Sequence, residues 1–191
     1  MEVHDWNKRY RLRERPAEDL DAAPTPLLVK TAAQLPPGKA LDLACGAGRN
    51  ALWLADHGWE VTAVDAADAA IEILQIRAEE RGLKINALVA DLEKDEFEIE
   101  PSGWDLVAMC YYLQRNLFEH AKRGVVPGGI LISIVHLTEP GEESSPHRLR
   151  PGQLERYVAG WEILHRHEGE PTDSAHHRAG AEIVARRPLA V

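Results

Sequence analysis

Two glycines, Gly46 and Gly48, stand in the segment LDLACGAGRN (Leu41 to Asn50), directly after an apolar run and directly before a helical pattern. Lacking a Cβ, they let the backbone approach a ligand closely, and the amides at the new helix N-terminus face it. A carboxylate, Asp65, ends the next apolar run 17 positions after Gly48, where it can accept both hydroxyls of a ribose. A second, Asp91, ends the third run and can accept a proton from an adenine amino group. Further along, Tyr111 and Tyr112 follow an apolar run, His136 ends another, and Arg148 and Arg150 lie in a polar stretch. The histidine could serve as a base for an alcohol or amine, and the arginines could hold an oxyanion or carboxylate. Trp6 and Tyr10, one helical turn apart, could offer aromatic faces to a cation.

The elements that must position these groups alternate along the chain. The pattern predicts strands at 39–45, 59–65, 84–90, 104–110 and 129–136, with helices at 47–57, 67–81 and 112–123. That is the βαβ rhythm of an α/β, doubly wound, mostly parallel sheet with helices on both faces. Ahead of it, Trp6 to Tyr10 and Leu27 to Gln34 read as helices, with a charged loop over Arg11 to Ala23 between them. The acidic run after Asp91 reads as a loop or short helix, and Thr138 to Arg150 as a long functional loop or lid. Pro151 to Val158 suits a short helix. Trp161 to His167 and Gly180 to Arg186 suit an antiparallel strand pair joined by Glu168 to Ala179.

With 191 residues the chain is expected to form one domain: a helical cap over 1–35, a cofactor-binding core over 38–136, and a substrate loop with the last two strands over 137–191. Its 22 basic residues against 31 acidic give a net charge of −9, which disfavours nucleic acid and anionic membranes as partners. A small-molecule substrate, a monomer or homodimer, and a cytoplasmic location are expected, since no apolar leader or membrane-length run is visible. Cys45 and Cys110 are the only cysteines, too few for a disulfide framework. His165 with His167, and His176 with His177, are spaced like metal-ligand pairs, but no acid or thiol set completes them, so no metal is expected.

The glycine turn with Ala51 also satisfies the looser dinucleotide fingerprint, so an NAD-dependent oxidoreductase shares the turn and Asp65. Asp91 and the Val126-Pro127-Gly128-Gly129 turn favour another reading. Glycine turn, Asp65, Asp91 and Pro-Gly-Gly, in that order, resemble the class I S-adenosylmethionine-dependent methyltransferases over about residues 38 to 136. The opening Trp6-Asn7-Lys8-Arg9-Tyr10, the phrase ALDLACGAGRNALWLADHGWEVTAVD and the tail from LRPGQLERYVAGWEILHRHEG to AGAEIVARRP are similar to the tellurite-resistance methyltransferase family.

That resemblance implies a Rossmann-like seven-stranded sheet of order 3-2-1-4-5-7-6 and S-adenosyl-L-methionine as cofactor. It places Cys45, Gly46, Gly48, Arg49, Asn50, Asp65, Ala66, Asp91, Leu92, Cys110, Trp6 and Tyr10 at the cofactor. Tyr111 and His136 become the catalytic candidates, with Tyr112, Arg148 and Arg150 toward the acceptor. Ala44 departs from the family pattern, which often has glycine there. The expected reaction is in-line methyl transfer to a small soft nucleophile, a thiol or metalloid oxyanion. A non-catalytic cofactor-binding regulator would look the same in sequence.

Overall fold

The structure, a computed structural model, describes residues 3–12 and 23–189. Most of the expected loop between Arg11 and Ala23 lies outside them. The strands form a seven-stranded sheet in the order β3-β2-β1-β4-β5-β7-β6, as the resemblance implies. By its internal packing the chain divides into two compact units, Met1–Glu98 and Ile99–Val191.

In the first unit, α1 (Val3–Leu12) and α2 (Pro26–Ala32) precede β1 (Lys39–Leu43), α3 (Arg49–Asp56), β2 (Glu60–Asp65), α4 (Asp68–Glu80) and β3 (Ile85–Val89). The three strands pair in parallel, Leu43 opposite Val64 and Asp65 opposite Val89. β1 and β2 bury Leu41, Leu43, Val61, Ala63 and Val64, so they read as near-continuous apolar runs. Helices α3 and α4 stop in the same way. Gly58 (φ 85°) and Gly82 (φ 65°) take the left-handed turn, while the Trp59 and Leu83 amides reach back to the Leu54 and Ala78 carbonyls. Helix α1 is longer than its apolar spacing suggested, because its polar side chains have work at the start of α4. Asn7 Oδ1 accepts the Ala69 amide at 3.1 Å, and Arg11 pairs with Asp68. The acidic stretch after Asp91 folds into a single 3-10 turn, Leu92–Lys94.

In the second unit, β4 (Trp104–Cys110), α5 (Leu117–Gly124), β5 (Val125–His136), a 3-10 turn (Leu154–Val158), β6 (Glu162–Gly169) and β7 (Gly180–Arg186) occur in that order. β4 and β5 are parallel, while β7 is antiparallel to both β5 and β6. Two boundaries differ from expectation. The helix predicted at 112–123 begins only at Leu117, because Tyr111 turns the chain at φ 61° and the Tyr112 hydroxyl bonds Gln114. The Pro-Gly-Gly turn does not precede β5 but lies inside it as a bulge, Val125 pairing with Trp104 and Ile130 with Leu106. Glycine is required at 129, where a Cβ would sit 2.9 Å from the Asp105 carbonyl oxygen. Thr138 to Arg150 is tied down at its base. Leu149 is buried and bridges Leu137, and Arg115 donates to the Pro146 and Arg148 carbonyls. Among the described residues no helix is long and apolar enough to cross a membrane.

Candidate active site

The first unit builds a cradle at the carboxyl ends of β1 and β2. After Leu43 the chain passes through left-handed conformations at Ala44 (φ 55°), Gly46 (φ 55°) and Gly48 (φ 81°) before α3 begins. A Cβ at Gly48 would lie 2.2 Å from Leu74 Cδ1, so any other residue there is strained and forces Leu74 to shift. A Cβ on Gly46 would lie 2.7 Å from the Tyr10 hydroxyl, so this buried tyrosine of α1 rests directly on the turn. Trp6 packs on the same cluster of Tyr10, Ala47, Ala67, Ala69 and Ala70, with the Arg9 guanidinium 5.5 Å from its ring centre.

Asp65, the last residue of β2, organises this turn. One carboxylate oxygen accepts the Gly46 amide and the other the Ala67 amide, both at 2.8 Å. Ala66 follows it, half-buried. Asp91 acts similarly at the end of β3: one oxygen accepts the Glu93 amide at 3.0 Å and the other meets Lys94 Nζ at 2.9 Å, which starts the 3-10 turn with Leu92 buried beneath. Arg49 and Asn50, at the start of α3, also bond within the chain. Arg49 donates to the Ala23 carbonyl, and the buried Asn50 accepts the Thr25 amide at 2.9 Å, so the pair holds the chain leading into α2.

A residue absent from the sequence-based expectations sits beneath the cradle. Asp42, in the middle of β1, is buried, and its Oδ2 has no hydrogen-bond partner. Burial pushes its carboxyl up to about 7, against the pull of the Arg49 guanidinium and the Ala51 amide and with a further push from Asp65. Its signal in the sequence is a lone carboxylate inside an apolar strand, ahead of a glycine turn. Burial, with Asp42 and Asp65 nearby, also pushes the Cys45 thiol well above its ordinary value, so it stays protonated.

In the second unit the chemistry gathers around three rings. Tyr111, strained into a left-handed conformation after β4, stacks on His176 with ring centres 3.4 Å apart and planes 14° apart. His136, at the end of β5, lies 5.3 Å from each. Its Nδ1 is buried without a hydrogen-bond partner, and burial, followed by the positive charges of Arg178 and Arg148, holds the imidazole below its ordinary value. Those two arginines converge on Glu142, whose Oε2 lies 2.6 Å from Arg148 and 2.7 Å from Arg178. The hydrogen bond from Arg178 leads the causes that bring this carboxylate to about 2.

Arg148 is thus brought together with Arg178, while the Arg150 side chain is exposed. Tyr112, its hydroxyl on Gln114 at 2.7 Å, and Cys110, opposite Ile134, complete this end of β4. The histidine pairs have other work. His165 bonds Glu182 and His167 the Glu170 carbonyl, and His176 belongs to the ring stack. Among the described residues no group of three or more His, Cys, Asp or Glu could hold a metal ion.

Residues 17–182 match the model of the family described as tellurite resistance protein TehB. The chain belongs to that family. It is 27% identical over 176 residues to a Haemophilus influenzae protein described as a probable S-adenosyl-L-methionine-dependent methyltransferase TehB, covering 85% of this chain and 56% of that one. It is 32% identical over 101 residues to ribosomal RNA small subunit methyltransferase C of Alcanivorax borkumensis, covering 50% of this chain and 31% of the other. The crystal structure of TehB from Haemophilus influenzae superposes with a TM-score of 0.72 at 24% identity, over 84% of this chain and 61% of that one, which shows the common fold. The chain thus spans less than two thirds of each of these relatives.

Proposed function

We propose that the protein transfers a methyl group from S-adenosylmethionine to a small, anionic, soft nucleophile of the metalloid-oxyanion class. The first unit's cradle suits the cofactor. Its glycine turn lies at the carboxyl ends of β1 and β2 beside the helix N-terminus of α3, and the unpartnered Asp42 oxygen is a carboxylate suited to the cofactor's ammonium group. Asp65 already accepts two amides, but a carboxylate has about four acceptor positions, so ribose hydroxyls fit the remaining ones. When bound, the cofactor supplies an electrophilic methyl on a sulfonium whose leaving group is neutral.

The observation that carries the acceptor class is the charge around His136. Arg148 and Arg178 share Glu142, and Arg178 also lies 3.7 Å from Glu139, so two guanidinium groups and two carboxylates gather beside an imidazole held below its ordinary value. An anionic acceptor suits this place by taking over guanidinium donors from those carboxylates. Arg148 and Arg178 would bind and orient it, while His136 could take up a proton that the acceptor still carries. The family's association with tellurite resistance agrees with this chemistry. The acidic whole, at −9, argues against a nucleic-acid acceptor. Release of S-adenosylhomocysteine, followed across selenite, tellurite, small thiols, thiopurines and amines, tests the reading. Turnover is expected with the oxyanions first and thiols second. Turnover confined to amines would overturn the acceptor class, and none with any acceptor despite tight S-adenosylmethionine binding would favour a regulator.

A further inference from the structure

Glu182 is a carboxylate buried in the middle of β7, where the neighbouring positions Ala181, Ile183, Val184 and Ala185 are apolar and buried too. A charge in such a place is costly without partners, and an apolar side chain would serve the sheet at least as well. Its partners come from two other elements. Thr172 Oγ1 donates to Oε1 at 2.5 Å from the segment joining β6 to β7, and His165 Nε2 of β6 lies 3.2 Å from Oε2.

The residues just past Thr172 give this arrangement a use. Asp173 accepts the Ala175 amide through its side chain and the His176 amide through its carbonyl, turning the chain so that the His176 ring meets Tyr111. Two residues on, Arg178 reaches Glu142, and the segment ends where the Ala179 carbonyl accepts the Leu137 amide just past β5. Thr172 is thus the near anchor and Ala179 the far anchor of a short span that carries both His176 and Arg178.

We propose that Glu182 is a positioning residue for the acceptor-side ring group: it fixes Thr172, and through Thr172 the placement of His176 on Tyr111 and of Arg178 beside His136. The inference rests on reading that group as the acceptor side, but the placement itself can be observed without any acceptor. A buried acceptor for Thr172 favours a single placement of the span, which is what an in-line displacement requires.

The test uses the whole chain with Thr172→Val, Glu182→Leu, the double variant and Thr172→Ser. In the parent, the His176 ring protons, assigned with His176→Gln, should resonate upfield because the ring lies over the Tyr111 face. Thr172→Val and Glu182→Leu should each shift them back toward the position of an unstacked histidine, the double variant should go no further than either single, and Thr172→Ser should restore the parent spectrum. With selenite as acceptor, each apolar variant should lower kcat/KM for selenite by roughly tenfold or more while the KM for S-adenosylmethionine stays within about twofold. Glu182→Leu should melt no lower than Thr172→Val, since it removes the buried charge along with the bond. His176 resonances unmoved in Thr172→Val, additive effects in the double variant, or a rise in both KM values together would overturn the proposal. Should the parent fail to methylate selenite, the acceptor class is wrong, and the ring resonances still decide the role of Glu182.

Discussion

The Asp65 carboxylate accepts the Gly46 amide at 2.8 Å, so the last residue of β2 fixes the turn after β1. Its other oxygen fixes the Ala67 amide at the entry to α4. Replacing it with alanine removes two charge-assisted bonds as well as any ribose contact. Asp65→Ala should therefore lower both stability, by about 1.5–3 kcal/mol, and cofactor affinity. Denaturant unfolding and calorimetric titration with S-adenosylmethionine read the two losses separately. Parent-like values for both would remove Asp65 from turn and site alike.

Asp42 gives a pH dependence of unusual sign. Its carboxyl ionises at about 7 in the folded chain against 3.8 ordinarily, so the folded state holds the proton more tightly. Stability from this group is present below 3.8 and is lost as pH rises toward about 7, by up to about 1.4 kcal/mol per pH unit. Asp42→Asn should flatten that slope. A cofactor ammonium beside Asp42 favours the ionised form, so binding below pH 7 should release a proton. Titrations at pH 6 in buffers of different ionisation enthalpy would detect it; a binding enthalpy independent of buffer would place the ammonium elsewhere.

Ala44 holds a left-handed conformation at φ 55°. Such a conformation costs a residue with a Cβ about 1–2 kcal/mol, part of which glycine returns through the entropy of the unfolded chain. Ala44→Gly is expected to raise stability by roughly 0.5–1 kcal/mol without loss of cofactor affinity. A lower melting temperature would mean that the turn is not strained there.

His136 is held below its ordinary value by burial first and by Arg178 and Arg148 after it. Arg178→Ala should let its titration move upward toward 6.5, visible in the His136 ring resonances. The same change should weaken selenite turnover strongly. For an acceptor that is already anionic, His136→Ala should cost far less than the roughly 10²–10⁴-fold loss of a general base. A larger loss from His136→Ala than from Arg178→Ala would point to an acceptor that must be deprotonated.

A ligand that binds only the folded chain raises its stability by about 2.7 kcal/mol at 100 times its dissociation constant. S-adenosylmethionine and S-adenosylhomocysteine should shift the melting temperature accordingly, and NAD should not. A shift with NAD alone would revive the oxidoreductase reading.

The sequence made the parallel strands legible because β1 and β2 are buried on both faces, and β7 legible because its length suits a hairpin partner. Where local pattern and long-range contacts competed, it fell short. The apolar spacing around Leu113 suggested a helix, yet the backbone turn at Tyr111 delays α5 to Leu117. The glycines of the cradle were readable from their own type, whereas the bonds of Arg49 and Asn50 to Ala23 and Thr25 were not, because nothing in their neighbourhood reveals them. Arg178 was missed for the same reason. Its partner Glu142 is 36 positions away, a distance over which spacing carries no information.

The antiparallel arrangement of β6 and β7 bears on how the proposed acceptor range can change. Their ladder runs from Glu162–Arg186 to Gly169–Gly180, so the residues between them form the tip of a hairpin whose ends are already clamped by the sheet. A hairpin tip tolerates exchange and changes of length better than a parallel crossover does. The side chains of that tip, His176 and Arg178 among them, can thus be replaced as a cassette without redrawing the glycine turn, which is encoded more than a hundred residues earlier. Under the proposed function, grafting this short span between family members should change substrate preference while leaving cofactor use untouched.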